Sequence, residues 1–373
     1  MTEPDYHPAL LRRDRTLQIA SVPTPSPARG DLRVKLLFVG VCGTDLQILN
    51  GSRPDTAEIL GHEGVGRVAR AGPAAALAEG QVVVFNPAAQ LSAGRILGHN
   101  TPGLFQKFIT VDSRAVEEGL VIPAGDCPPT VYTALAEPLA SVIYAHQLIT
   151  RQVRHLRTAV VFGAGPVGLL AVTYLGGLGV RVLLVHPTQE RLKTAAALGI
   201  VSPTAALTLC DDLPGQLLGL NDGQRPDAAL ICSTRVGAPA ALRHALEVVA
   251  EGGCIDLITN YPEAGVAPPG VDTVLLRAVR AENVNGVPLE GRYLVTEGSG
   301  LRVALTGHRG TSAEHLRGAL RELRCHSAAY ARLITHVMSL HAAGQAIQRL
   351  SESPTRTLGG RECIKLVIDM STA

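Results

Sequence analysis

Residues 158–186 read TAVVFGAGPVGLLAVTYLGGLGVRVLLVH, and this stretch decides the fold. TAVVF is a short apolar run that stops at glycine, as a buried strand does. PVGLLAVTYLGGLG is long enough for a helix, and RVLLVH reads as a second strand. Strand, glycine turn, helix and strand together make the unit from which parallel sheets are built. The alternation continues downstream. TQERLKTAAALG predicts a helix that ends at Gly199. Strands are expected at 227–233 and 253–259, with a helix over 238–250 between them, and LRVALTG (301–307) supplies a sixth strand. The fold class is therefore α/β, a Rossmann doubly wound parallel sheet over residues 151–310.

The turn itself, Gly163-Ala164-Gly165-Pro166-Val167-Gly168, matches GxGxxG. A lone match of this kind is weak, but this one follows an apolar strand and opens a helix, as a dinucleotide site requires. The first glycine allows the tight turn and the second lets the backbone approach a pyrophosphate. The helix start then offers free N–H groups and its positive dipole end. An acidic residue at the end of the second strand would bind the adenosine ribose, but here that place reads Leu184-Val185-His186-Pro187. Without the carboxylate a 2′-phosphate meets no repulsion, and His186 or Arg191 could pair with it, which favours NADP over NAD. Alternatively His186 only caps the strand, and backbone with Thr188 holds the ribose.

Outside this region the rhythm differs. Residues 30–150 read as short strands and loops, with strands at 34–41, 63–69, 81–85 and 105–111, and suggest an antiparallel barrel-like domain. The final segment carries helices near 312–326 and 339–350 and a closing strand, ECIKLVID. The stretch 260–300, with its Pro and Gly, reads as a long loop and a candidate functional insertion. The 373 residues, 46% of them apolar, can build two full cores. A net charge of +2 with no basic block argues against nucleic acid, as does 3% aromatic content with no Trp. No apolar run reaches the length of a membrane span. The start, MTEPDYHPALLRRDR, has no basic stretch before an apolar core, so no secretory signal is read and a cytoplasmic location is expected. Seven Cys without a CxxC pair argue against a disulfide framework and a four-cysteine structural zinc site. Thirty of the 34 basic residues are Arg, an imbalance that a GC-rich genome explains.

Three further motifs carry chemistry. Cys42-Gly43-Thr44-Asp45 precedes Gly61-His62-Glu63-Gly64, and Glu137-Pro138-Leu139-Ala140 follows much later. Cys, His and a carboxylate suit Zn²⁺ with a fourth position open for water or substrate. Such an ion lowers the pKa of a bound alcohol and stabilises the alkoxide from which hydride leaves. Each of these residues alone is more often structural; with the later glycine turn they form a specific set.

The whole resembles the zinc-dependent medium-chain dehydrogenase/reductase superfamily, of alcohol and polyol type, from about residue 15 to 370. That resemblance implies a GroES-like catalytic domain in two parts, 1–150 and 311–373, around the dinucleotide domain at 151–310, with a cleft where zinc and cofactor meet. It implies zinc ligation by Cys42 and His62, with Glu137 as the polyol-type carboxylate and Glu63 as a neighbour that exchanges with water or ligates. Thr44 would relay a proton from the substrate hydroxyl, while Asp45 ties its loop down. The segment 85–103 has no Cys, so the structural-zinc lobe of many members is missing and at most one zinc per subunit is expected. Thr306-Gly307-His308-Arg309-Gly310 resembles the loop by which sorbitol-type members approach nicotinamide and substrate, so Arg309 and His308 are candidates there. His99 and Asn100 are candidates for touching substrate. The implied reaction interconverts a secondary alcohol and a ketone with NAD or NADP, on a polyol, cyclitol or aminocyclitol. Threonine-type amino-alcohol oxidation, a zinc-free quinone or enoyl reductase and a non-catalytic cofactor scaffold are the alternatives. A homodimer or homotetramer is expected.

Overall fold

The computed structural model describes residues 5–210, 212–262, 267–353 and 355–372. They divide into two compact units, one of residues 1–137 with 312–373, the other of residues 138–311.

In the second unit seven strands form one sheet. In order across it they are Ala206–Thr208, Arg181–His186, Thr158–Phe162, Ala228–Ile231, Cys254–Leu257, Leu301–Gly307 and Leu294–Gly298. The first six are parallel and run 3-2-1-4-5-6 in chain order, the doubly wound arrangement read from the sequence. The order reverses beside Thr158–Phe162, so the glycine turn stands at the switch point where such sheets bind ligands. Burial follows the alternation of the strands. Val160, Phe162, Ala229, Ile231, Ile255, Leu257, Val303 and Leu305 point to one face and form one core with helix Ala238–Val248. All five residues of Thr158–Phe162 are buried, as expected of a strand covered on both faces.

The first unit is built on a second seven-stranded sheet, antiparallel except where Ile334–Ser339 pairs parallel with Lys365–Asp369. Strand Leu32–Gly40 pairs on both sides, with Glu63–Ala71 and Lys365–Asp369, and also with Phe108–Val111. Two register shifts in the pairing of Leu32–Gly40 with Glu63–Ala71 add local twist and bend the sheet. Helix Leu340–Glu352 covers its core with Leu340, Ala343, Ile347 and Leu350.

Three expectations change. The stretch 260–300 is no loop: it holds helix Thr273–Glu282 and strand Leu294–Gly298, which pairs antiparallel at the sheet edge (263–266 lie outside the described residues). Asp272 caps that helix, accepting from the N–H groups of Val274 and Leu275. Residues 30–150 are not strands and loops throughout, because Ala136–Gln152 is a helix. Pro138 lies in its first turn, where a missing N–H costs nothing. The first boundary between compact units consequently falls at 137/138 inside this helix, rather than at 150/151. A hairpin of Tyr6–Arg13 and Thr16–Pro23 also precedes the region that the strand pattern marks. No helix among the described residues is long and apolar enough to cross a membrane.

Candidate metal and dinucleotide sites

The metal cluster is positioned by three local features. Cys42 caps the short helix Gly43–Leu49, and its N–H donates to Asp45 Oδ2 at 2.8 Å. Asp45 Oδ1 accepts from the N–H of Gly61 at 3.0 Å and lies 3.5 Å from His62 Nδ1. One fully buried carboxylate therefore links the Cys42 loop to the His62 loop and faces the imidazole on one side, leaving the other nitrogen for a metal. Gly61 adopts φ +89°, and a Cβ there would come within 2.4 Å of the Phe105 ring. Only glycine fits this approach to His62.

The ligand atoms of Cys42, His62 and Glu63 lie within 4.8 Å of one another, the one such group among the described residues. Burial opposes a charge on His62, but Asp45 and Cys42 outweigh it and lift its pKa well above the usual imidazole value. Asp45 stays ionised: burial works against its charge, while His62 and the two backbone N–H groups hold its pKa down. Glu137, the second residue of its helix, is not in the group of three but borders it electrostatically. Burial pushes its carboxyl up to about 7; His62 and Lys365 pull the other way, and Glu63 and Asp45 add to the rise. A thiol, an imidazole and a carboxylate are the donor types that zinc takes in catalytic sites, so the residues fit that ion.

Strand pairing brings in a residue the sequence reading missed. Gly40 lies opposite Glu63, and Lys365–Asp369 flanks Gly40 on the other side. Lys365 Nζ donates to Glu63 Oε2 and, at 3.0 Å, to the Val41 carbonyl; both charged side chains are at most 2% exposed. A Cβ on Gly40 would stand 2.6 Å from Glu63 Oε2 and 2.9 Å from Lys365 Cε, so the glycine makes room for the pair. The available signal was one of only four lysines in the chain, set inside an apolar strand.

Thr44 sits half-buried in the helix that follows Cys42, and its hydroxyl makes no hydrogen bond to protein among the described residues. The ring of His99 stands 5.1 Å from that of His62, and its Nδ1 bonds Asp55 at 3.0 Å. Arg53 grips the same carboxylate at 2.9 Å. Asn100, by contrast, is exposed and turned to its own loop. Its side chain accepts from the Ile96 N–H and donates to the Gly94 carbonyl.

In the other unit the three glycines take distinct positions. Gly163 has φ +120°, and a Cβ on it would meet the Cys232 carbonyl at 2.6 Å. A Cβ on Gly168 would fall 1.8 Å from the Gly163 carbonyl, so its absence lets helix and strand pack closely. Gly165 caps helix Pro166–Gly177, with no protein atom within 4 Å of where a Cβ would be. That open backbone beside Pro166 and Val167, at a helix start, is a cradle suited to pyrophosphate. His186 Nδ1 accepts from the Thr188 N–H at 3.0 Å, capping its own turn. Arg191 is buried, and its Nε props the glycine turn at the Ala164 carbonyl, 3.1 Å away, so it does not present that nitrogen to a ribose phosphate. His308 is buried against Tyr144, ring centroids 4.4 Å apart, which removes it from the surface; Arg309 is exposed.

Comparisons with known proteins bear on the fold and the family likeness. The alcohol dehydrogenase GroES-like domain model matches residues 28–122. L-threonine 3-dehydrogenase of Thermococcus kodakarensis is 27% identical over 289 residues, 72% of this chain and 79% of that enzyme. These matches support the likeness to the zinc-dependent medium-chain dehydrogenase superfamily read from the sequence. Another relative is 2-dehydro-3-deoxy-L-galactonate 5-dehydrogenase of Pseudoalteromonas atlantica. It is 30% identical over 195 residues, but the match covers only 48% of this chain and 55% of that enzyme. Galactitol-1-phosphate dehydrogenase from Escherichia coli shares the fold at a TM-score of 0.70 and 19% identity, over 97% of this chain and 99% of that one.

Proposed function

We propose that the chain is a zinc-dependent, NAD(P)-linked dehydrogenase that interconverts a secondary alcohol and a ketone on a polyol, cyclitol or aminocyclitol. The observation that carries the reading is the meeting of half-buried Cys42 with buried His62 and Glu63 in one cluster, in a chain that also builds an open glycine turn. Cys42 and His62 with a carboxylate, Glu63 or Glu137, would hold the ion. Zinc with an open position supplies a Lewis acid that makes a substrate hydroxyl easier to deprotonate, and the dinucleotide supplies the hydride acceptor. Asp45 fixes the His62 ring, and Thr44, with its hydroxyl uncommitted, takes and passes on the hydroxyl proton. Gly165 and the first N–H groups of its helix bind the pyrophosphate. His99, held by Asp55, is placed beside His62 to meet a polar group of the substrate.

A second reading is supported by the threonine dehydrogenase relative: oxidation of an amino alcohol. Purified protein should be assayed with NAD and with NADP on sorbitol, myo-inositol, an aminocyclitol and L-threonine, following reduced nicotinamide. The highest kcat/KM on a polyhydroxylated ring or chain supports the proposal. Preference for L-threonine replaces it with the second reading, and cofactor binding without turnover on any alcohol rejects both.

A further inference from the structure

The stretch 260–300 builds more than an edge strand, because its helix Thr273–Glu282 reaches back to the carboxyl ends of the parallel strands. Arg280, in the last turn, donates through Nε to the Leu257 carbonyl at 2.9 Å. Its two terminal nitrogens donate to the Ile258 carbonyl at 3.0 Å and to Asn260 Oδ1 at 2.9 Å. A Cβ on Gly307, the last residue of its strand, would stand 2.9 Å from Arg280 Cγ and Cδ, so the glycine lets the arginine stem pass. Between the held residues, the Thr259 N–H donates to the Ile231 carbonyl at 3.1 Å. A loop that leaves a strand is ordinarily the part free to move. Here one half-buried guanidinium fixes the exit of Cys254–Leu257 and, through Thr259, ties it to the end of Ala228–Ile231.

In a doubly wound sheet the ligand lies across these carboxyl ends. The glycine turn follows Thr158–Phe162, and the adenosine ribose belongs at the end of Arg181–His186, on one side of it. The other half of a dinucleotide therefore falls on the opposite side, over the ends of Ala228–Ile231 and Cys254–Leu257. We propose that Arg280 is a positioning residue for the nicotinamide half of the cofactor: its fork sets residues 257–260 in place, so that binding does not have to order them. The inference rests on the dinucleotide reading above and is independent of the metal. The adenosine and pyrophosphate contacts lie on strands that Arg280 does not touch, so only the nicotinamide half depends on it.

The test is binding to the full chain, by titration calorimetry, for wild type, Arg280→Met and Arg280→Lys. Two ligands are compared: whichever of NADH and NADPH wild type prefers, and the matching ADP-ribose or its 2′-phosphate, which lacks only the nicotinamide. Arg280→Met should weaken the reduced cofactor at least about tenfold and leave ADP-ribose within about twofold of wild type. Arg280→Lys keeps the charge, which also acts on buried Asp256, but not the fork. It should weaken the reduced cofactor at least about fivefold, again with ADP-ribose unchanged. The change in nicotinamide emission on binding should shrink in both variants. Equal losses for the two ligands would overturn the inference, because Arg280 would then only hold the whole unit together. Wild-type affinity for the reduced cofactor in Arg280→Lys would overturn it too, since charge alone would suffice. If Arg280→Met does not fold, Arg280→Lys decides it. Wild type that binds neither ligand would instead bring down the dinucleotide reading itself, a separate result.

Discussion

Asp256 sits in the middle of the parallel sheet, on strand Cys254–Leu257, fully buried. Neither of its carboxylate oxygens has a hydrogen-bond partner among the described residues, and its nearest help is the charge of Arg280. Burial raises its pKa from 3.8 to about 7, the Arg280 charge opposing the rise only in part. A carboxyl with a raised pKa binds its proton more tightly in the folded state. Its contribution to stability is therefore complete below 3.8 and is lost as pH rises through about 7. A shift of roughly 3 units at about 1.4 kcal/mol each sets a ceiling of about 4 kcal/mol. Asp256→Asn keeps the shape and cannot ionise. At about pH 4.5 the variant should match wild type within about 1 kcal/mol. At about pH 8 it should be more stable, by up to about 4 kcal/mol, with the gap opening between these values. For a unit of this size that gap corresponds to roughly 10 °C in the melting of residues 138–311, read by calorimetry across a pH series. A difference between the two proteins that does not vary with pH would refute the reasoning, because it would mean that the carboxyl is not held neutral by burial.

Other outcomes follow from the same geometry. Gly165→Ala should fold with stability within about 1 kcal/mol of wild type, since its Cβ meets no protein atom, while dinucleotide affinity by fluorescence titration falls at least about tenfold. Gly168→Ala should behave differently, losing about 1–3 kcal/mol or more in thermal unfolding, because its Cβ would overlap the Gly163 carbonyl. Asp45→Asn keeps the size but removes the charge that faces His62 and one of two acceptors for backbone N–H groups. Zinc affinity should fall about 10–100-fold by chelator competition, with Cys42 and His62 both intact.

What the sequence revealed and what it hid have physical reasons. The strand, glycine turn and helix over 158–186 were legible because each signal is local: β-branched run, glycine spacing, helix length. Cys42 and His62 could be paired because each lies in a short motif, although only the fold shows that Asp45 bonds the backbone of both loops. Lys365 was not legible, since its partner is 302 residues away and an isolated lysine in a strand carries no period. Helix Ala136–Gln152 was hidden by Pro138, which reads as a breaker until it is placed in a first turn. Helix Thr273–Glu282 was hidden by its Pro- and Gly-rich surroundings, although Asp272 is a visible cap for it. Arg191 is a phosphate candidate from its position alone, and only the fold shows that its Nε bonds the Ala164 carbonyl of the glycine turn.

The central claim is that Cys42 and His62 hold a catalytic zinc. Its most direct test is metal content of protein purified without chelator, beside Cys42→Ala, with folding of both checked by circular dichroism. The account predicts about one zinc per wild-type chain and a loss of most of it in the folded variant. Folded wild-type protein that holds no zinc and takes none up when it is supplied would contradict it.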